Sequence, residues 1–200
     1  MDATQTGVGR TGKIWASKYA GIGPGIMCIA KSIGSGIPIS TIAYESEYDE
    51  NLPPGFHLGT YTWNPVALVA ATAILKYPKS TDFLEKVRFK GEHVKKRFKE
   101  ISSDISQISE VRGRGFMVAA KLVKGKKTKV PDSEIKARAK INMFRNGLLM
   151  HTCGHYLNVL RHVAPLTIEK KLMDNGIEIF HEALKEASRK IECFLFWGER

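Results

Sequence analysis

The spacing of apolar and polar positions divides the chain into a first stretch of short strands and turns and a second stretch of amphipathic helices and strands. The run Ile26-Met-Cys-Ile-Ala30 is followed by Gly34, Ser35, Gly36 and Pro38, which predicts a short buried strand ending in a tight turn. A helical piece is expected over 14–19 and another strand over 39–43. Asn64-Pro65 reads as a helix start, with Asn as the N-cap and Pro at the first helical position. The following stretch, 66–77, is alanine-rich and apolar nearly all round, which predicts a buried helix.

Pro78 ends that helix and Ser80-Thr81-Asp82 starts the next, whose apolar stripe is Phe83, Leu84, Val87, Val94, Phe98 and Ile101. Beyond it the pattern predicts a strand over 111–123, a basic loop, a helix over 132–146 and a strand over 147–151. Gly147 fits the stop signal of that helix. A strand over 158–162 and a last helix over 168–191 complete the pattern, with Glu169 suited to the positive end of the helix dipole. The expected division is a first domain over 1–79 and a linking helix with a small α+β domain over 80–200.

Two hundred residues suffice for one ordinary domain or two small ones. The formal charge of +11 would suit a binder of nucleic acid or acidic ligands. The excess is spread over Lys13, Lys18, Lys76, Lys79, Lys95-Lys96-Arg97, Lys124 to Lys129 and Lys170-Lys171, and no zinc-finger, RNP-like or basic-zipper pattern accompanies it. No nucleic-acid partner is expected. Cys28, Cys153 and Cys193 are odd in number and widely spaced, which fits a reducing compartment and a cytoplasmic location. The most apolar piece near an end, Phe194-Leu-Phe-Trp197, is far too short to span a bilayer, so no membrane partner is expected. His151, His155 and His162 have no acidic ligand pattern around them, and no metal site is expected.

Lys31 stands between the apolar run and the glycine-rich turn. An amine there must be solvated, paired or used, and a strand-end lysine taken alone commonly snorkels to water. The chain opens on Asp2-Ala-Thr-Gln5-Thr-Gly-Val-Gly-Arg10-Thr-Gly-Lys13, a glycine-rich loop with no strand ahead of it. In open α/β sheets such a loop follows a strand, so the chain is expected to be the second half of something larger.

Six motifs converge: Asp2-Ala-Thr-Gln5-Thr-Gly, Gly9-Arg-Thr-Gly12, Ala30-Lys31-Ser-Ile-Gly-Ser-Gly, Gly59-Thr60-Tyr-Thr-Trp-Asn64-Pro65, Val111-Arg-Gly-Arg-Gly115 and Asn158-Val-Leu-Arg161-His-Val-Ala-Pro165. In this order, and with equal steps from Asp2 to Lys31 and from Lys31 to Thr60, the sequence resembles the class III aminotransferases over Asp2 to Ala187. Within the family, Leu148 to Gly154 with Asn158 to Arg161 is most similar to bacterial-type 4-aminobutyrate aminotransferases. The tail 190–200 resembles nothing identifiable.

The resemblance implies an α/β, fold-type I pyridoxal-phosphate enzyme, of which this chain is the C-terminal part of the large domain plus the small α+β domain. It implies that Lys31 is the Schiff-base lysine, for which burial would favour a neutral amine, and that Asp2 pairs with the pyridine nitrogen of the cofactor. Gln5 would bond the phenolic oxygen, and Thr60 the cofactor phosphate of a neighbouring subunit in a homodimer. Arg161 would clamp the carboxylate of an amino-acid or 2-oxo-acid substrate. The implied activity is transfer of an amino group from 4-aminobutyrate or a related ω-amino acid to 2-oxoglutarate, although racemisation can use the same lysine. The alternative is a non-catalytic remnant, or a split-enzyme subunit that pairs with an N-terminal half.

Three features bear on these expectations. Arg112-Gly-Arg-Gly115 could cradle a phosphate, but a turn entering a strand is the favoured reading. Ala3 stands where the family usually has Glu, and Thr62-Trp63 where it has small residues, often glycine. The family's Ser/Gly-rich phosphate loop and ring-stacking aromatic are not among these residues, so exposed apolar faces and strand edges are expected.

Overall fold

The computed structural model describes residues 1–79 and 81–189. Cys193, the tail and the end of the last predicted helix lie outside the described residues. The chain forms two compact units, the first comprising Met1–Gly91 with Arg114–Phe116 and the second Glu92–Gly113 with the chain from Met117 onward. The division falls inside a helix, between Gly91 and Glu92.

In the first unit, β1 (Ile26–Ala30) pairs antiparallel with β2 (Ser40–Tyr44), Ile26 opposite Tyr44 and Ala30 opposite Ser40. The opening residues run parallel to the other edge of β1. Cys28 donates its N–H to the Met1 carbonyl at 2.9 Å, and Ala3 donates to the Cys28 carbonyl at 2.8 Å. The prediction of a fully buried β1 is corrected. Its side chains alternate, Met27 and Ile29 facing a small core with Ala3, Val8, Ile33 and Ala71, while Ile26 and Cys28 face outward. Every residue of β2 is exposed.

Helix α1 (Pro65–Lys76) starts where Asn64-Pro65 predicts, the Asn64 carboxamide oxygen accepting from the N–H groups of Val66 at 3.0 Å and Ala67 at 3.2 Å. It is not the buried helix that its composition suggests. Only Ala67 and Ala71, one turn apart, are buried, and Val66 and Val69 are exposed at 64% and 70%. Tyr61, Trp63 and Leu58 just before it are more exposed still. The unit thus carries an apolar surface larger than its core can cover.

Helix α2 (Phe83–Asp104) buries Val87, Val94, Phe98 and Ile101, as its stripe predicts. The single strand expected over 111–123 is instead two, β3 (Ile108–Arg114) and β4 (Met117–Leu122), joined at Gly115. The break has a packing cause. A Cβ on Gly115, whose φ is +53°, would lie 2.1 Å from the Thr11 carbonyl carbon, and a Cβ on Gly91 of α2 would lie 1.9 Å from the Gly115 carbonyl oxygen. Backbone meets backbone at both points, which only glycine permits. Arg112-Gly-Arg-Gly115 therefore serves chain packing.

The second unit adds α3 (Ser133–Arg145), β5 (His151–Cys153), β6 (Val159–His162) and α4 (Lys170–Ser188). Its sheet has the order β3-β4-β6-β5, with Val118 opposite His162 and His151 opposite Arg161 in antiparallel pairs. Asp132 caps α3 by accepting from the Ile135 N–H at 2.9 Å. Gly147, at φ +83°, closes the helix as Leu148 donates back to the Met143 carbonyl at 2.8 Å. That closure delays the next strand, expected from residue 147, until His151. Along α4, Met173, Ile177, Phe180 and Leu184 pack into the core, and Phe180 stacks on Phe98 with ring centroids 4.2 Å apart. Arg97 pairs with Glu178, and His93 lies 2.6 Å from Asp174, both linking α2 to α4.

Candidate active site

Lys31 directly follows β1 and opens a 3₁₀ turn, Lys31–Ile33. Its φ is +53°, a left-handed conformation that costs a non-glycine residue about 1–2 kcal/mol and that persists where the surroundings over-determine it. Ile33, 3% exposed, anchors the turn in the core, and Gly34 closes it by donating to the Lys31 carbonyl at 3.0 Å. A Cβ on Gly34 would meet the Ile37 carbonyl oxygen at 1.9 Å, so the turn folds too tightly for any other residue there. The lysine is thus aimed by a rigid turn. The burial expected around it is not present: Lys31 is exposed.

Asp2 is bridged to Cys28 across the edge of β1, which brings it to the strand that Lys31 follows. Its carboxylate accepts from the Thr4 N–H at 2.7 Å. Hydrogen bonds from the Thr4 side chain and backbone hold its pKa below the ordinary 3.8, and the charges of Lys31 and the N-terminus add to the effect. Because the folded value is depressed, any stability this carboxylate contributes is present above the ordinary pKa and is lost as pH falls through the folded one. An NMR titration should therefore give Asp2 a midpoint below 3.8. Thr4→Val, which removes the hydroxyl and keeps the N–H, should move the midpoint upward; an unchanged midpoint would show that the Thr4 hydroxyl has no part in it.

Gln5 follows in the same loop, half-buried. Thr60 is exposed in the turn before α1, where the Thr62 hydroxyl donates to the Gly59 carbonyl at 2.6 Å. Trp63, at a position where the resembled family has small residues, has φ +65° and is 76% exposed. Arg161 belongs to the second unit, on β6, half-buried and opposite Ala119 of β4 and His151 of β5. His162 sits edge-on to Phe98 at 6.3 Å, and His155 edge-on to Tyr156 at 5.1 Å. The structure thus brings Asp2 and Lys31 to one strand.

The residue that sequence reasoning missed is Thr4. The signal was available, since an Asp followed two positions later by a free N–H forms an Asx turn. The left-handed conformation of Lys31 had no such signal, because lysine is not a residue that favours it.

Comparison with known proteins bears on the family. The family model described as aminotransferase class-III matches residues 1–184. The chain is 37% identical over 185 residues to a 5-aminovalerate aminotransferase of Pseudomonas aeruginosa, covering 92% of this chain and 43% of that protein. It is 35% identical over 188 residues to a 4-aminobutyrate aminotransferase of Escherichia coli, covering 94% and 44%. The solved structure of an ornithine delta-aminotransferase of Plasmodium falciparum superposes with a TM-score of 0.81 at 28% identity, covering 94% of this chain and 46% of that one. The chain spans less than half the length of the relatives it matches. With the family model matching nearly its whole length and the fold-type I architecture shared, the chain belongs to the pyridoxal-phosphate-dependent class-III aminotransferases.

Proposed function

We propose that this chain carries the lysine-bearing half of an aminotransferase that moves an amino group from an ω-amino acid, 4-aminobutyrate or a near homologue, to 2-oxoglutarate. The observation that carries the reading is the turn that holds Lys31 left-handed at the end of β1, with the ionised Asp2 carboxylate bridged to the same strand. The two relatives named above act, by their names, on ω-amino acids that differ by one methylene, which supports the donor class.

The donor set fits the cofactor chemically. It combines an anion, an amide and an amine, with Asp2 and Lys31 both open to an incoming group. Bound pyridoxal phosphate supplies an aldehyde that takes up an amino group and a ring that accepts the electrons left when a C–H bond breaks. The Asp2 carboxylate, ionised at neutral pH, would keep a proton on the ring nitrogen. Lys31 Nζ would carry the proton between the carbon atoms of substrate and cofactor. Gln5 is assigned to the phenolic oxygen and Thr60 to the phosphate of a neighbouring subunit. The Arg161 fork is assigned to the substrate carboxylate, where two parallel hydrogen bonds fix orientation as well as charge.

A specific observation favours a second reading. Exposure of Asp2, Lys31 and the apolar side of α1 suits a subunit of a split enzyme, or a remnant without activity of its own. Incubation with pyridoxal phosphate, borohydride reduction and peptide mapping separates the possibilities. The expected result is one pyridoxyl group on Lys31, absent in Lys31→Ala. Labelling only in the presence of an N-terminal half from a relative would favour the split enzyme. Absence of Lys31 labelling under both conditions would overturn the catalytic reading and leave the remnant.

A further inference from the structure

Among the described residues, Lys86, Lys95, Lys170 and Lys185 pair with carboxylates. The loop between β4 and α3 has a different character. Between Glu110 and Asp132 the chain has two arginines, five lysines and no acidic residue. Four of those lysines, Lys124, Lys126, Lys127 and Lys129, are gathered by a closed turn. The bridge of Val123 to Pro131 pins its base, and Lys124 donates its N–H to the Val130 carbonyl at 2.9 Å. Lys129 donates its N–H, and Thr128 its hydroxyl, to the Gly125 carbonyl at 2.9 Å and 3.3 Å. Lys126 Nζ donates to the Ser102 carbonyl in the last turn of α2 at 3.1 Å, which holds the turn against the helix.

All four side chains are exposed, and none pairs with a carboxylate of the described residues. Backbone hydrogen bonds thus hold four like charges together against their mutual repulsion, and Lys129 does so at φ +53°. Such a surface gains most from an extended counter-charge.

We propose that the turn 124–130 is a contact surface for an anionic lipid bilayer, a peripheral attachment and not a span, which departs from the expectation of no membrane partner drawn from the lack of a spanning segment. Two features favour a bilayer over RNA. The cations are all lysines, compact point charges suited to a diffuse layer of headgroups, whereas sequence-tolerant RNA binding rests on stacking aromatics and arginine, and 124–130 contains neither. Val130, 47% exposed beside the lysines, adds an apolar side chain suited to the headgroup boundary.

The test is co-sedimentation of the full chain with phosphatidylcholine vesicles containing about 30 mol % phosphatidylserine. Binding is expected in low salt, should be absent with phosphatidylcholine alone, and should be released by about 0.5 M NaCl, where screening shortens to a few ångströms. Lys127→Gln with Lys129→Asn should lower partitioning about 30-fold, at about fivefold for each lysine near the surface. Lys18→Gln with Lys76→Gln removes equal charge elsewhere and should change it less than about twofold. Circular dichroism checks the fold of each variant; if the first is unfolded, Lys124→Gln, expected to lose about fivefold, is read instead. Equal losses from the two pairs, no preference for anionic vesicles, or tighter retention on polyuridylate or polyglutamate would overturn the proposal.

Discussion

Gly115→Ala is expected to destabilise the first unit by about 3–5 kcal/mol, from the strain of a left-handed alanine together with overpacking. The new Cβ would lie 2.1 Å from the Thr11 carbonyl carbon and 2.5 Å from the Gly12 nitrogen. Both are backbone atoms, so no side chain can rotate away. The more telling variant is Gly91→Ala on α2. In an exposed helix interior that change gains about 1 kcal/mol. Here the Cβ would meet the Gly115 carbonyl oxygen at 1.9 Å and carbon at 2.3 Å, so the sign reverses and a net loss of about 2 kcal/mol or more is expected. Gly147→Ala is the control, since its φ is +83° but nothing lies within 4 Å of the added atom, and it should lose only about 1 kcal/mol. Urea midpoints order the three. A neutral or stabilising Gly91→Ala would show that the close approach does not govern this unit.

In the second unit the largest effect falls on the stacked ring pair. Phe98 and Phe180 are each 1% exposed, with rings nearly coplanar in orientation at an interplanar angle of 4°. Phe180→Ala should cost about 3–5 kcal/mol in transfer and cavity terms, while Phe180→Leu, which keeps most of the volume, should cost about 1.5 kcal/mol or less. Phe98→Ala should cost a similar amount, and the double variant less than the two together, because the second truncation removes a contact already lost. Strict additivity would mean that the rings do not stabilise each other. The ion pairs from α2 to α4 flank this pair, but Arg97 and Glu178 are exposed enough for solvent to screen them, so truncating either should matter far less.

Much of the local structure around the candidate site was legible in the sequence. Strand β1 begins and ends where the apolar run does, and Asn64 caps α1 through the hydrogen bonds that its residue type implies. Asp2 is bridged to Cys28 of the strand that Lys31 follows, a pairing that no motif in the sequence announced. Two elements were not legible. The composition of α1 implied burial, but burial depends on what covers a helix, and here only one alanine stripe is covered. The residues of Lys31 gave no hint of its left-handed backbone, which follows from the anchoring of Ile33 and the tight closure at Gly34.

The sequence by itself determined the elements whose causes lie within a few residues: the bounds of β1, the N-cap of α1, the stop of α3 at Gly147, and the apolar stripe of α2. It also determined the family, through motifs whose residue types and spacing the chemistry requires. Only the tertiary structure decided where the stretch 111–123 breaks into two strands. That break is set by the backbone of Thr11 and by Gly91 pressing on Gly115, and contacts between segments so far apart in the chain leave no periodicity in either one. The same reason separates the basic turn 124–130 from the rest of the charge. Its lysines are plain in the sequence, but only folding shows them gathered in one closed turn with no carboxylate of the described residues paired to them.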